Sequence, residues 1–271
     1  MGLMTQRMPT LYIPHGGGPC FFMDPPPGAP QLWDNMADYL KSIAAGLPEK
    51  PRALLVISAH WETATPTLNV AARPGMLYDY YGFPEHTYRL QYPAPGAPEL
   101  APKVQTLLAD AGIAVDLDGA RDYDHGVFVP LMLAFPDADI PILQLSLRQD
   151  LDPAAHLAIG RALEPLRDDG VLIIGSGMSF HNLRTLRGPQ GDTQSDMFDT
   201  WLTQAATAAD PNQRDLALSH WAQAPHAREA HPREEHLLPL MVAAGAAGTD
   251  IGRRTYSDHL GGKAVSAYQF G

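Results

Sequence analysis

The chain has one cysteine, Cys20, among 271 residues. No intrachain disulfide can form, and no thiolate metal cluster can be built from a single chain. A reducing compartment is expected. Positive charge is also scarce: 19 Lys+Arg stand against 30 Asp+Glu, a formal charge of −11. Binding a phosphate backbone needs the opposite balance, so nucleic acid is not an expected partner. No stretch approaches the ~18 consecutive apolar residues of a membrane span. The start, MGLMTQRMPTLYIPHGG, lacks the apolar core and small-residue cleavage site of a secretory signal. These absences predict a cytoplasmic protein with no membrane contact. What is present in quantity is 45% hydrophobic residues, enough for a native core, and 11 His, which raise a metal or acid/base question.

Short apolar runs alternate with longer helical patterns, the rhythm of an α/β fold. Residues 10–13, 52–59 (RALLVISA), 140–146 (IPILQLS) and 171–176 (VLIIGS) read as strands. They lack period-two alternation, as strands covered on both faces do. Helices are predicted over 31–45 and 153–167, a helical third over 194–247 and a last strand over 264–270. Residues 78–98 are dense in Tyr, Gly and Pro, which predicts a loop ordered by its tyrosines. A second loop is expected at 187–193. No linker or repeat marks a boundary, so residues 1–271 read as one domain.

Three strands end in a histidine or lead to one within a few residues: His15 in LYIPHGGGP, His60 in LLVISAHWE, and His181 in LIIGSGMSFHNL. In open α/β sheets the carboxyl ends of strands border a common crevice where ligands bind. Gly16, Gly17 and Gly18 would let backbone or substrate approach His15. His125, in RDYDHGVFVP, is expected at the crevice rim. His236, in HPREEHLLPL, lies near a helix start with Glu234 and Glu235 beside it. One histidine after a strand is ordinarily a structural or surface residue. Three together point to a shared site, and neutral imidazole binds metals such as Fe(II) and Zn(II). His86, His156, His220, His226 and His259 read as residues of loops or polar helix faces without a role. His231 reads either as support for His236 or as an exposed residue before Pro232. No Gly-Lys-Ser/Thr follows the glycines, Gly175-Ser176-Gly177 lacks nucleophile-elbow spacing, and H-E-x-x-H is absent. Ser58 and Ser176 read as small packing residues rather than nucleophiles.

Six segments, LYIPHGGGP, LLVISAHWE, YPAPGAPELA, YDHGVFVPLMLAFPDADIPILQLSL, GSGMSFHNLR and HPREEHLLPL, together resemble the class III extradiol ring-cleavage dioxygenases. These form the LigB-like superfamily, and the likeness is to its DOPA extradiol dioxygenase branch. The segments run in order from residue 11 to about 240. The resemblance implies a single-domain α/β fold, a mixed central sheet with helices on both faces, and a non-haem metal in the crevice. It implies His15, His60 and His236 as metal ligands, His181 as acid/base, and His125 as a further active-site histidine. A better-known branch supplies a glutamate as third ligand, which leaves Glu234 or Glu235 as alternatives to His236. In zinc-loaded relatives His181 is a candidate fourth ligand, so it is counted in both roles.

The activity implied is Fe(II)-dependent cleavage of a small substituted catechol by O2 to a ring-opened semialdehyde. Zn(II) is an alternative occupant that cannot take part in the redox cycle. Two other readings stay open: a zinc hydrolase on the same scaffold and a non-catalytic metal or ligand-binding protein. The catechol's substituent is not specified, although Arg148 or Arg184 is where a local positive charge would arise. Self-association is the simpler expectation over a partner chain.

Overall fold

The computed structural model describes residues 6–185 and 192–271. Eight strands form one sheet: β1 (Thr10–Pro14), β2 (Ala53–Thr63), β3 (Thr67–Asn69), β4 (Asp116–Asp118), β5 (Ile142–Arg148), β6 (Val171–Gly177), β7 (Gly252–Leu260) and β8 (Lys263–Phe270). Their spatial order is β4-β3-β5-β2-β6-β1-β8-β7. The central neighbours β5, β2, β6 and β1 are parallel, whereas β8 joins β1 antiparallel and β7 joins β8 antiparallel. The fold is therefore the predicted mixed α/β sheet.

The helices are α1 (Asp34–Ser42), α2 (Ala101–Asp110), α3 (His125–Ala134), α4 (Pro153–Leu163), α5 (Asp192–Ala206), α6 (Pro211–Ser219), α7 (Ala227–Ala230) and α8 (Leu238–Gly245). Side-chain alternation along the central strands divides them between two faces. Thr10 Oγ1 donates to Ala243 O (2.7 Å), and a Cβ at Gly175 would meet Pro239 O at 2.2 Å, so α8 lies against one face. The next residue, Ser176, points the other way and donates to Gly126 O of α3. Burial on both sides explains why ALLVIS and VLIIGS carry no alternation: Leu54 to Ile57 and Leu172 to Ile174 are each 1% exposed or less. Among the described residues no helix is long and apolar enough to cross a membrane.

Several elements differ from the sequence reading. β2 does not stop at residue 59. Its pairing with β5 shifts between Ile57 and Glu62 and then resumes, leaving His60 inside the strand on a bulge. β5 begins at Ile142 rather than 140. β7, β3, β4 and α2 carry no prediction, and β7 is joined to β8 by the Gly261-Gly262 turn. The helical third is broken into α5 to α8 and ends at Gly245. Of the loop expected at 187–193, residues 187–191 lie outside the described residues. The tyrosine-rich segment is held as expected: Tyr78 Oη donates to Leu90 O (2.7 Å), Tyr80 Oη to Thr87 O (2.7 Å) and Tyr92 Oη to Phe135 O (3.0 Å).

Candidate metal centre

The parallel strands deliver the first two imidazoles to one level. β1 passes directly into His15, whose backbone N–H donates to Gly177 O at 3.2 Å. Gly16 then turns the chain away with φ +78°, and a Cβ there would lie 2.3 Å from Cys20 Sγ, so this turn requires glycine. His60 is set by the β2 bulge, which a buried carboxylate clamps. Asp124, 0% exposed, accepts from Ser58 Oγ (2.6 Å), Gln144 Nε2 (2.6 Å) and Arg121 Nη2 (3.1 Å). Ser58 Oγ accepts the His60 N–H (3.2 Å), and Arg121 Nη2 reaches His60 O (3.3 Å). Asp124 thus fixes both the entry to His60 and its exit.

The third imidazole comes from the turn before α8. The His236 carbonyl accepts from Tyr12 Oη (2.8 Å) and Met178 N (3.1 Å). A Cβ at Gly177 would sit 2.1 Å from that same oxygen, so glycine at the end of β6 is what lets His236 approach the sheet.

His15, His60 and His236 each bring a ring nitrogen within 4.8 Å of the other two. Each Nδ1 faces an oxygen: Ser176 Oγ at 3.1 Å for His15, Asp79 Oδ2 at 3.5 Å for His60, and Glu235 Oε1 at 3.0 Å for His236. With Nδ1–H directed at these oxygens, Nε2 of each ring is left with a lone pair free for a metal. Nε2 of His15 and Nε2 of His60 are 3.1 Å apart. Two lone pairs at that distance repel unless a proton or cation lies between them. Two nitrogens bound ~2.1 Å from one metal would be about 3.0–3.4 Å apart, so the spacing fits a shared ion.

The electrostatics favour the ligand form of all three rings. Burial, then the neighbouring His60 and His236, holds His15 well below its ordinary value. Burial and the proximity of His125 lower His60 to about 4. Burial lowers His236 strongly, although Glu235 opposes it. Neutral imidazoles are what a metal binds. Beside them, Glu235 is held well below the carboxylate range: burial acts to raise it, and hydrogen bonds from His181 and His236 outweigh that.

His181 and His125 flank this triad on opposite partners. The His181 ring stacks on His236 with centroids 3.4 Å apart, and its Nδ1 lies 3.3 Å from Glu235 Oε1. It clusters with Glu235 and His236, and His236 is the member this cluster shares with that of His15 and His60, while His125 clusters with His60 and Asp79. His125 opens α3, donating from N (3.0 Å) and Nδ1 (2.7 Å) to Asp79 Oδ1. Its ring centroid is 3.9 Å from that of His60. Glu235 stands behind His236, and Glu234 accepts from Arg228 Nη1 (2.6 Å). Asp79, Asp124 and Ser176 were not foreseen as supports. Their partners lie 46, 66 and 161 residues away, too far for any local pattern to mark the pairing.

Two histidines assigned no clear role are placed differently from the reading. His156 is not on a polar face: it is fully buried, its Nδ1 donating to Asp152 O (2.7 Å) and its Nε2 accepting from Arg148 N (3.1 Å). His231 is not exposed before Pro232. It is 0% exposed, lies against the rings of Phe198 and Trp221, and donates from Nε2 to Ser179 O at 2.9 Å. Its Nδ1 has no partner among the described residues.

Burial lowers His231 to about 4. The unfolded chain therefore binds the extra proton first, and stability is lost as pH falls from about 6.5 toward 4. That shift corresponds to about 3 kcal/mol. Denaturant unfolding of wild type and His231→Asn at pH 7 and pH 4 is expected to show wild type losing about that much more. Equal losses would remove His231 as a source of acid sensitivity.

Comparison with known proteins places this geometry in context. Residues 9–270 match the family described as the catalytic LigB subunit of aromatic ring-opening dioxygenase. The chain is 38% identical over 278 residues to dioxygenase tasH of Hapsidospora irregularis, covering 97% of this chain and 85% of that protein. It is 41% identical over 252 residues to the 4,5-DOPA dioxygenase extradiol of Beta vulgaris, covering 92% and 90%. A crystal structure of an uncharacterized protein from Escherichia coli K12 superposes with a TM-score of 0.77 at 29% identity, covering 98% of this chain and 100% of that one.

Proposed function

This chain belongs to the LigB family of aromatic ring-opening dioxygenases, and on that premise we propose that it is a non-haem Fe(II)-dependent extradiol dioxygenase acting on a small substituted catechol. The observation that carries this reading is the convergence of His15, His60 and His236, with ligand nitrogens within 4.8 Å, between His181 and His125. His15, His60 and His236 would hold an Fe(II), which would supply the one-electron chemistry that lets O2 react with a catechol.

The chain's own residues then manage protons and position. Glu235 holds Nδ1 of His181 and leaves Nε2 to take a proton from a catechol hydroxyl and return it as the ring opens. Asp79 orients His125, leaving its Nε2 to hydrogen-bond an oxygen that gains negative charge. The reaction balances without an external reductant. The ring C–C bond beside a hydroxyl-bearing carbon and the O–O bond both break, and both oxygen atoms enter the semialdehyde product.

Anaerobic reconstitution with Fe(II), followed by a panel of catechols, tests this. Oxygen uptake equal to the yellow ring-opened product formed is expected. Silence across the panel with iron bound, or zinc-dependent ester hydrolysis without oxygen uptake, would overturn it.

A further inference from the structure

A second feature borders the same centre. A cavity of about 430 Å³ opens between Gly16 and Gly17 on one side and His181 on the other. Beyond them its walls are apolar, built mainly from Leu32, Trp33, Phe83, Met178, Phe180 and Leu183. Among the described residues that line it there is no lysine or arginine, and the one carboxylate, Asp24, stands exposed at the edge. A separate cavity of about 450 Å³, lined by His60, His236 and Glu235, does hold a guanidinium, Arg233. That charge is already engaged: Glu62 takes both Nη atoms at 2.6 and 2.5 Å, and Glu235 Oε2 lies 3.4 Å away. Arg148 is turned to Asp150, and Arg184 lines neither cavity.

We infer that the ring substituent of the substrate enters the apolar cavity and carries no carboxylate, so that the substrate class is catechols with neutral, apolar side chains. The inference rests on the proposed ring-opening activity and deepens it. An alkyl chain gains by leaving water for Leu32, Trp33 and Phe83. A carboxylate on the same chain must shed hydration against apolar walls with no lysine or arginine among the described lining residues to meet it, or come to rest near Asp24.

The test compares 4-butylcatechol with 3-(3,4-dihydroxyphenyl)propionate, which share the ring and a side chain of similar reach and differ in ending in an ethyl group or a carboxylate. The protein is the Fe(II)-reconstituted full chain, read by oxygen uptake for kcat/KM and by anaerobic calorimetry for Kd. Butylcatechol is expected to lead by on the order of tenfold or more in both. Leu32→Lys is expected to narrow or invert that ratio. Leu183→Lys, at a position 70% exposed and tolerant of charge, gives a second reading of it. The ratio is internal to each variant, so differences in iron loading cancel. Equal or better use of the propionate by wild type overturns the inference while leaving the dioxygenase standing, and so does a ratio unmoved in both folded variants. The expected Kd order without turnover of either compound supports the inference and overturns the activity. Binding of neither overturns both.

Discussion

His15→Ala is expected to bind Fe(II) more weakly by well over the ~10–100-fold that loss of an outer partner of a ligand costs. The reason is that His15 is the best enclosed of the three imidazoles. It is 0% exposed, its Nε2 lies 3.1 Å from that of His60, and its Nδ1 is fixed by Ser176. Alanine removes a ligand atom in a space too closed for water to take its place with the same orientation. Ser176→Ala removes only the outer partner and is expected to fall inside the ~10–100-fold range. His156→Gln, equally buried but remote from the triad, should lower stability and leave iron affinity unchanged. Anaerobic Fe(II) titration of the four proteins gives the order. A His15→Ala protein that binds iron as tightly as wild type would falsify the site.

The sequence made some of this legible for physical reasons. Strands buried on both faces announce themselves as uninterrupted apolar runs, and a histidine directly after such a run in β1 has nowhere to go but the carboxyl edge of the sheet. His15 and His181 were readable in that way. His60 pointed to the same place for a partly wrong reason: β2 continues past it, and a bulge rather than a strand end aims the ring. Nothing periodic marks His236, which precedes α8 in an irregular turn, so the residues alone noted it near a helix start and only the family resemblance made it a ligand. The supports were hidden because their meaning is a contact. Asp124 is one acid among 30 Asp+Glu until Ser58, Gln144 and Arg121 surround it. β7 was missed because its outward residues are charged or polar, as an edge strand's are, and only the Gly261-Gly262 turn before β8 hinted at a hairpin.

His181→Ala should separate proton transfer from metal binding. Its ring belongs to the Glu235 and His236 cluster and lines the apolar cavity, so a substrate entering that cavity as proposed would meet it. Under the proposed mechanism the variant keeps most of its iron affinity and loses turnover by ~10²–10⁴, the usual worth of a positioned acid/base. His181 also stacks on His236 and shares Glu235 Oε1 with it, so some loosening of iron is expected. That loosening should resemble Ser176→Ala rather than His15→Ala, because an outer contact is lost and no ligand. The two measurements must be made on the same preparation, with kcat expressed per bound iron. A fall in iron affinity equal to that of His15→Ala would make His181 a fourth ligand and leave the proton without an assigned carrier. Full turnover per iron would move the acid/base role elsewhere, with His125, held by Asp79 across the triad, next in position to fill it.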